Sequence, residues 1–197
     1  MSEIDSATDG ATPVDPDERE GLRFVHVQTR GQLDELEQVN IQAGLQWLER
    51  QRNADILSER FVRDLHQKLF GQVWKWAGSF RATGKNIGCD PRYIPVELHK
   101  LLGDTRYWIE HETYSKRELA TRFHHRLVSI HPFPNGNGRH ARIMADALLM
   151  FVLGQPPIDW AGGHELQSMS VQRNRYIAAL RAADTGDYQP LLEFVGL

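Results

Sequence analysis

Leu33, Leu36, Ile41, Leu45 and Leu48 recur along residues 31–52 at spacings of three to five, the interval that returns side chains to one face of an α-helix. Ser58 precedes a second such run, Phe61, Leu65, Leu69 and Val73, as a capping hydroxyl would. Further helices are expected over Val96–Glu110, Ser115–Ile130, Gly138–Leu153, Glu165–Ala183 and Tyr188–Val195. In the Ser115 segment Leu119, Phe123, Leu127 and Ile130 carry the pattern; in the next, Ile143, Ala147, Leu148 and Phe151 do. Two stretches break it. SFRATGKNIGCDPRYIP, residues 79–95, holds two glycines and two prolines among short alternating runs, which reads as a loop or small hairpin. GQPPIDWAGG, residues 154–163, reads as a loop. The periodicity therefore predicts an all-α fold, a helical bundle carrying one short β-hairpin.

Composition narrows the class. The chain has 197 residues, 41 % of them apolar, enough for one domain with a real core. Acids outnumber bases, 26 to 23, without the basic excess usual in a nucleic-acid binder. The first twenty residues hold seven acids and one arginine, so the rest is net basic, and residues 1–22 read as a flexible acidic tail. Cys89 is the single cysteine and can form no intrachain disulfide. No apolar run approaches the roughly 18 residues of a membrane span, and the acidic N-terminus is unlike a signal peptide. These features suggest a cytoplasmic protein with no membrane or direct nucleic-acid partner.

IHPFPNGNGRHAR, residues 130–142, carries the densest chemistry. Pro132 disfavours helical geometry at the residue before it. His131 is thus placed at the end of the Ser115 helix, where its ring can project into a cleft. Phe133 reads as a buried anchor for the turn. Gly136, Asn137 and Gly138 supply a tight turn whose N–H groups can converge on an anion. The helix that starts there adds its free N–H groups and its dipole. Arg139 and Arg142, three apart, share a face of its first turn, and guanidinium forks suit phosphate oxygens. Two cations at a helix N-terminus oppose the dipole, by about 0.3–1 kcal/mol each, unless an anion lies between them. The alternative is an ordinary helical corner with two solvated arginines. A dinucleotide-type glycine pattern is disfavoured because a helix, not a strand, precedes it. His124, His125 and His131 have a loose metal-site spacing, but no acidic ligand accompanies them; packing histidines are the simpler reading.

The string resembles the signature of the Fic family, HPFx[D/E]GNGRxxR, from His131 to Arg142, with Asn135 in place of the acid. VWKWAGSFRATGKNIG is similar to the stretch that opens the family's target-docking flap, and YIAALRAADTGDYQPLLEFV to its C-terminal helices. The whole chain is most similar to the branch called mobile mystery protein B. The resemblance in these motifs covers roughly residues 55–197, a Fic-like catalytic domain, preceded by the acidic tail over 1–22 and a helical extension over 23–54. It implies AMP transfer from ATP to a Ser, Thr or Tyr hydroxyl of a protein target. His131 would be the general base, and Gly136, Asn137, Gly138, Arg139 and Arg142 would hold the nucleotide's phosphates. Tyr176 is placed either near the base or in the core. Asn135 would stand at the family's Mg²⁺ ligand, with an uncharged amide. Lys85, Asn86 and Ile87 would belong to a flap that pairs with a target segment. Alternatives are transfer of phosphate, UMP or phosphocholine, or a nucleotide-binding module with little activity. Glu37 is the candidate inhibitory glutamate, although Leu33 and Gln38 depart from the family's [S/T]xxxE[G/N] pattern. A separate antitoxin-like inhibitor is the other source of restraint.

Overall fold

A computed structural model describes residues 19–24, 26–27, 29–160 and 171–197. Most of the expected tail, and the first part of the expected Glu165 helix, lie outside these residues. The helices are α1 (Arg30–Glu49), α2 (Glu59–Phe70), α3 (Ile94–Glu110), α4 (Lys116–Ile130), α5 (Asn137–Ala147), α6 (Val171–Asp184) and α7 (Gln189–Phe194). A wider π turn over Leu148–Leu153 extends α5. Among the described residues there is no strand, only an isolated bridge between Leu22 and Trp74. The all-α fold is as the periodicity predicts. The β-hairpin is not formed: residues 79–90 are a loop without a ladder.

Local chemistry sets the helix starts. Thr29 and Gln32 form a reciprocal capping box before α1. The Ser58 hydroxyl accepts from Phe61 N–H at 3.2 Å, and Ser115 accepts from Glu118 N–H, each satisfying a donor the helix cannot.

Helix α4 lies at the centre and packs against α3, α5, α6 and α7, while α1 lies along α2. The core runs through Leu65, Leu69, Leu98, Phe123, Leu127 and Leu149. Polar groups also join α1 to the end of α2. The Asn40 amide donates to Lys68 O at 2.9 Å and accepts from Gln72 N–H at 2.8 Å. The chain is already docked by Gly21: Lys75 N–H donates to Gly21 O at 2.8 Å and Arg23 N–H to Val73 O at 2.9 Å. This packing carries α1 across the sequence-distant turn between α4 and α5.

Candidate active site

The turn from His131 to Gly138 is held mainly by its own side chains. Phe133 N–H donates to Asn137 Oδ1 at 2.9 Å, and Asn137 Nδ2 donates back to Phe133 O at 2.8 Å. The Asn137 side chain is therefore buried in closing the loop, and its backbone N–H is what remains for a ligand. Gly136 has φ 77°, and a Cβ there would lie 2.7 Å from the Phe70 ring. Both facts require glycine. Phe133 is fully buried as expected, stacked 3.7 Å from the ring of His66.

His66 is a positioning group the sequence reading passes over. Its Nε2–H donates to Asn135 O at 3.0 Å, and its Nδ1 accepts from Gly78 N–H at 3.0 Å. One neutral ring thus joins the glycine turn to the root of the 79–90 loop. Burial, with the neighbouring His140, holds His66 well below the usual imidazole range. Its place on the apolar face of α2, beside Leu65 and Leu69, was readable as buried; its partners were not.

His131 caps α4 with φ 53° and ψ 60°. That is left-handed geometry rather than the extended form a following proline favours, and it stores strain of about 1–3 kcal/mol. The ring does not project into an open cleft. His131 as a whole is 5 % exposed, with Gly88 of the loop packed against its Cβ. Its pKa is pushed down to about 4, first by burial and then by the Arg81 charge, with Lys85 adding to the effect and the Val128 carbonyl opposing it. The imidazole is neutral at pH 7 and able to accept a proton.

The two motif arginines diverge. Arg139 Nη1 donates to Glu37 Oε2 at 2.6 Å, and its guanidinium lies 4.8 Å over Phe70. The other Glu37 oxygen accepts from Trp74 Nε1–H at 2.6 Å. Arg142 instead lies 5.5 Å over Tyr176. Tyr176 is buried, and its hydroxyl shares a 3.0 Å hydrogen bond with His124 Nε2. Its link to the site thus runs through Arg142. His125 belongs to a different network, donating to Asp184 at 2.9 Å and accepting from the Tyr188 hydroxyl at 2.9 Å. In the loop, Asn86 is exposed and Lys85 and Ile87 are half-buried.

Asn135 Oδ1 accepts from Gly136 N–H at 2.6 Å. An uncharged amide oxygen already used inside its own turn is a poor sole ligand for Mg²⁺, which favours carboxylates. Among the described residues, no three His, Cys, Asp or Glu side chains gather as a metal site. The residues of this turn do not fit a resident metal.

The His131 imidazole at the end of α4, the glycine turn and the two arginines of α5 thus lie within one short segment of an all-α bundle. Residues 56–149 match the Fic/DOC family profile, and the chain carries a Fic/DOC family domain. It is 31 % identical over 138 residues to the protein adenylyltransferase Fic of Drosophila yakuba, covering 68 % of this chain and 26 % of that one. The chain spans about a quarter of the length of the curated relatives it matches. The fold is similar to the N-terminal FIC domain of Bep8 from Bartonella sp. 1-1C, with TM-score 0.70 and 16 % identity, over 99 % of this chain and 94 % of that one. It is also similar to BepC of Bartonella tribocorum, solved with bound AMPPNP, with TM-score 0.68 and 17 % identity, over 92 % and 96 %. No helix among the described residues is long and apolar enough to cross a membrane.

Proposed function

We propose that the chain is a Fic-type protein adenylyltransferase. The observation that carries this is the position of the His131 imidazole at the end of α4, next to the glycine turn that opens α5. In this reading a target Ser, Thr or Tyr hydroxyl gives its proton to His131. Its oxygen then bonds to the α-phosphorus of ATP as the bond to the β-phosphate's bridging oxygen breaks, and pyrophosphate leaves. The N–H groups of residues 136–138 and the side chains of Arg139 and Arg142 neutralise the phosphate charge, the kind of fixed electrostatic stabilisation phosphoryl-type chemistry needs. The adenylyltransferase relatives and the AMPPNP-bound BepC support ATP as donor. A well-placed base is worth about 10²–10⁴-fold.

Glu37 acts as a brake in the same reading, because its carboxylate holds the guanidinium that phosphate would need. Lys85, Asn86 and Ile87 would meet the target. An antitoxin-like partner would add restraint from outside the chain.

The test is incubation with cell extract, Mg²⁺ and ATP labelled at the α- or γ-phosphate. Label from the α-position alone, absent with His131→Ala, supports the proposal. Because Asn135 is uncharged, the second reading is transfer of another group. Label from γ-ATP, UTP or CDP-choline identifies it, and ATP binding without transfer identifies a binding module.

A further inference from the structure

The loop over residues 79–90 lacks strand pairing, so another interaction must hold it over His131. The side chain of Arg81 is 3 % exposed overall and reaches carbonyls on both sides of the gap. Nε donates to His131 O at 2.6 Å and Nη1 to Thr83 O at 2.9 Å. Nη2 donates to Cys89 O and, at 3.4 Å, to Ile130 O. The backbone continues the same seam: Arg81 N–H donates to Pro132 O at 3.0 Å and Cys89 N–H to Ile130 O at 3.4 Å.

One planar guanidinium thus joins both arms of the loop to the carbonyls on either side of the strained His131. Gly88 closes over it at φ 108°. A Cβ at Gly88 would lie 2.6 Å from both Arg81 Nη2 and His131 Cβ, so the loop, the guanidinium and the base of the His131 side chain pack directly together.

We propose that Arg81 is the positioning residue of this site: it replaces the missing hairpin ladder, shapes the target-facing loop and ties that loop to the backbone of His131. A lysine cannot substitute, since a single ammonium has no rigid fork to span carbonyls from both arms and from α4. The consequence for catalysis rests on the proposed transfer reaction; the consequence for the loop does not.

Hydrogen exchange on the full chain without nucleotide tests the structural half. In Arg81→Lys and Arg81→Met, amides of residues 82–89 should exchange about tenfold faster or more, as loss of charge-assisted bonds implies. Amides of α1 and α2 should keep their protection. Gly88→Ala should loosen the same amides by forcing these packed groups apart with the arginine retained, and it decides the matter if the Arg81 variants unfold. Unchanged loop exchange, or protection lost evenly across the fold in all three variants, overturns the proposal.

The catalytic half is read in the α-labelled ATP assay with cell extract. ATP affinity by calorimetry should stay within about twofold, while transfer to extract proteins falls about tenfold or more. Faster loop exchange with undiminished transfer overturns the catalytic role. If the wild-type chain transfers nothing, the proposed function fails, and the exchange result still decides what Arg81 does.

Discussion

The carboxylate of Glu37 and the guanidinium of Arg139 meet at 2.6 Å across 102 residues of sequence. The Glu37 side chain is 3 % exposed and that of Arg139 13 %. A pair this enclosed is screened little by solvent. It also differs from the arrangement the motif suggests, in which Arg139 and Arg142 face a common anion. The protein supplies Arg139 with an anion of its own.

Glu37→Gly should therefore bind ATP more tightly. The gain should be roughly tenfold, since a hydrogen bond between charged groups contributes about 1.5–3 kcal/mol. The same change leaves Arg139 without its buried partner and should lower the melting temperature without ligand. Saturating ATP should recover part of the loss. Calorimetry and thermal melts measure both, and an unchanged ATP affinity would end the brake reading.

Asn135→Asp keeps an acceptor for Gly136 N–H and adds a charge beside the turn. Nucleotide binding should become strongly dependent on Mg²⁺, and weaker than wild type when the ion is chelated, because the new charge repels bare phosphate. Titrating ATP with and without Mg²⁺ measures this. Equal Mg²⁺ dependence in the two proteins would show that residue 135 does not face the nucleotide's ion.

Gly136→Ala should cost about 1–3 kcal/mol, since it combines a left-handed backbone with contact against Phe70. The two causes are separable. Adding Phe70→Leu opens space for the methyl group and should make the alanine cheaper than in the wild-type background, while the backbone strain remains. Urea denaturation of the four proteins gives the coupling. Strict additivity would show that the Phe70 ring is not what excludes a side chain.

Acid should destabilise the fold through its buried histidines. Burial pushes His140 down to about 3, with its Nε2–H donating to Val62 O. His131 is pushed down to about 4. An imidazole with a lowered folded pKa binds its proton more readily when unfolded. Its contribution is complete above the ordinary value near 6.5, and falls as pH drops from there toward the folded value. Asp146 opposes this: burial raises it to about 6, so it favours the folded state as pH falls through 6. The histidines outnumber it, and melting temperature should fall between pH 7 and pH 4. A flat or rising profile contradicts these assignments.

The elements most legible from residue pattern are those governed by near neighbours. Ser58 and Ser115 mark the starts of α2 and α4, and the apolar spacing marks the end of α4 at Ile130, while α2 stops at Phe70, three residues short of Val73. The His131–Arg142 string carries its family resemblance in adjacent residues. The loop over 79–90 was less legible, because glycine and alternating residues fit a hairpin as well as a loop. A buried arginine decided between them. Tyr176 could equally face a base or the core until α6 packed on α4 and put its hydroxyl against His124.

By itself, the order of residues determined most of the described helices, the position of the break before Pro132 and the presence of a histidine, a glycine turn and two cations in one short segment. These depend on hydrogen bonds and side-chain spacing within a few residues of the chain. Tertiary structure alone decided that Glu37 takes Arg139, that His66 joins the turn to the loop root and that Arg81 seals the loop over His131. Each of those contacts joins residues tens of positions apart. Only the burial of apolar faces, above all α1 along α2 and α4 at the centre, brings them within bonding distance.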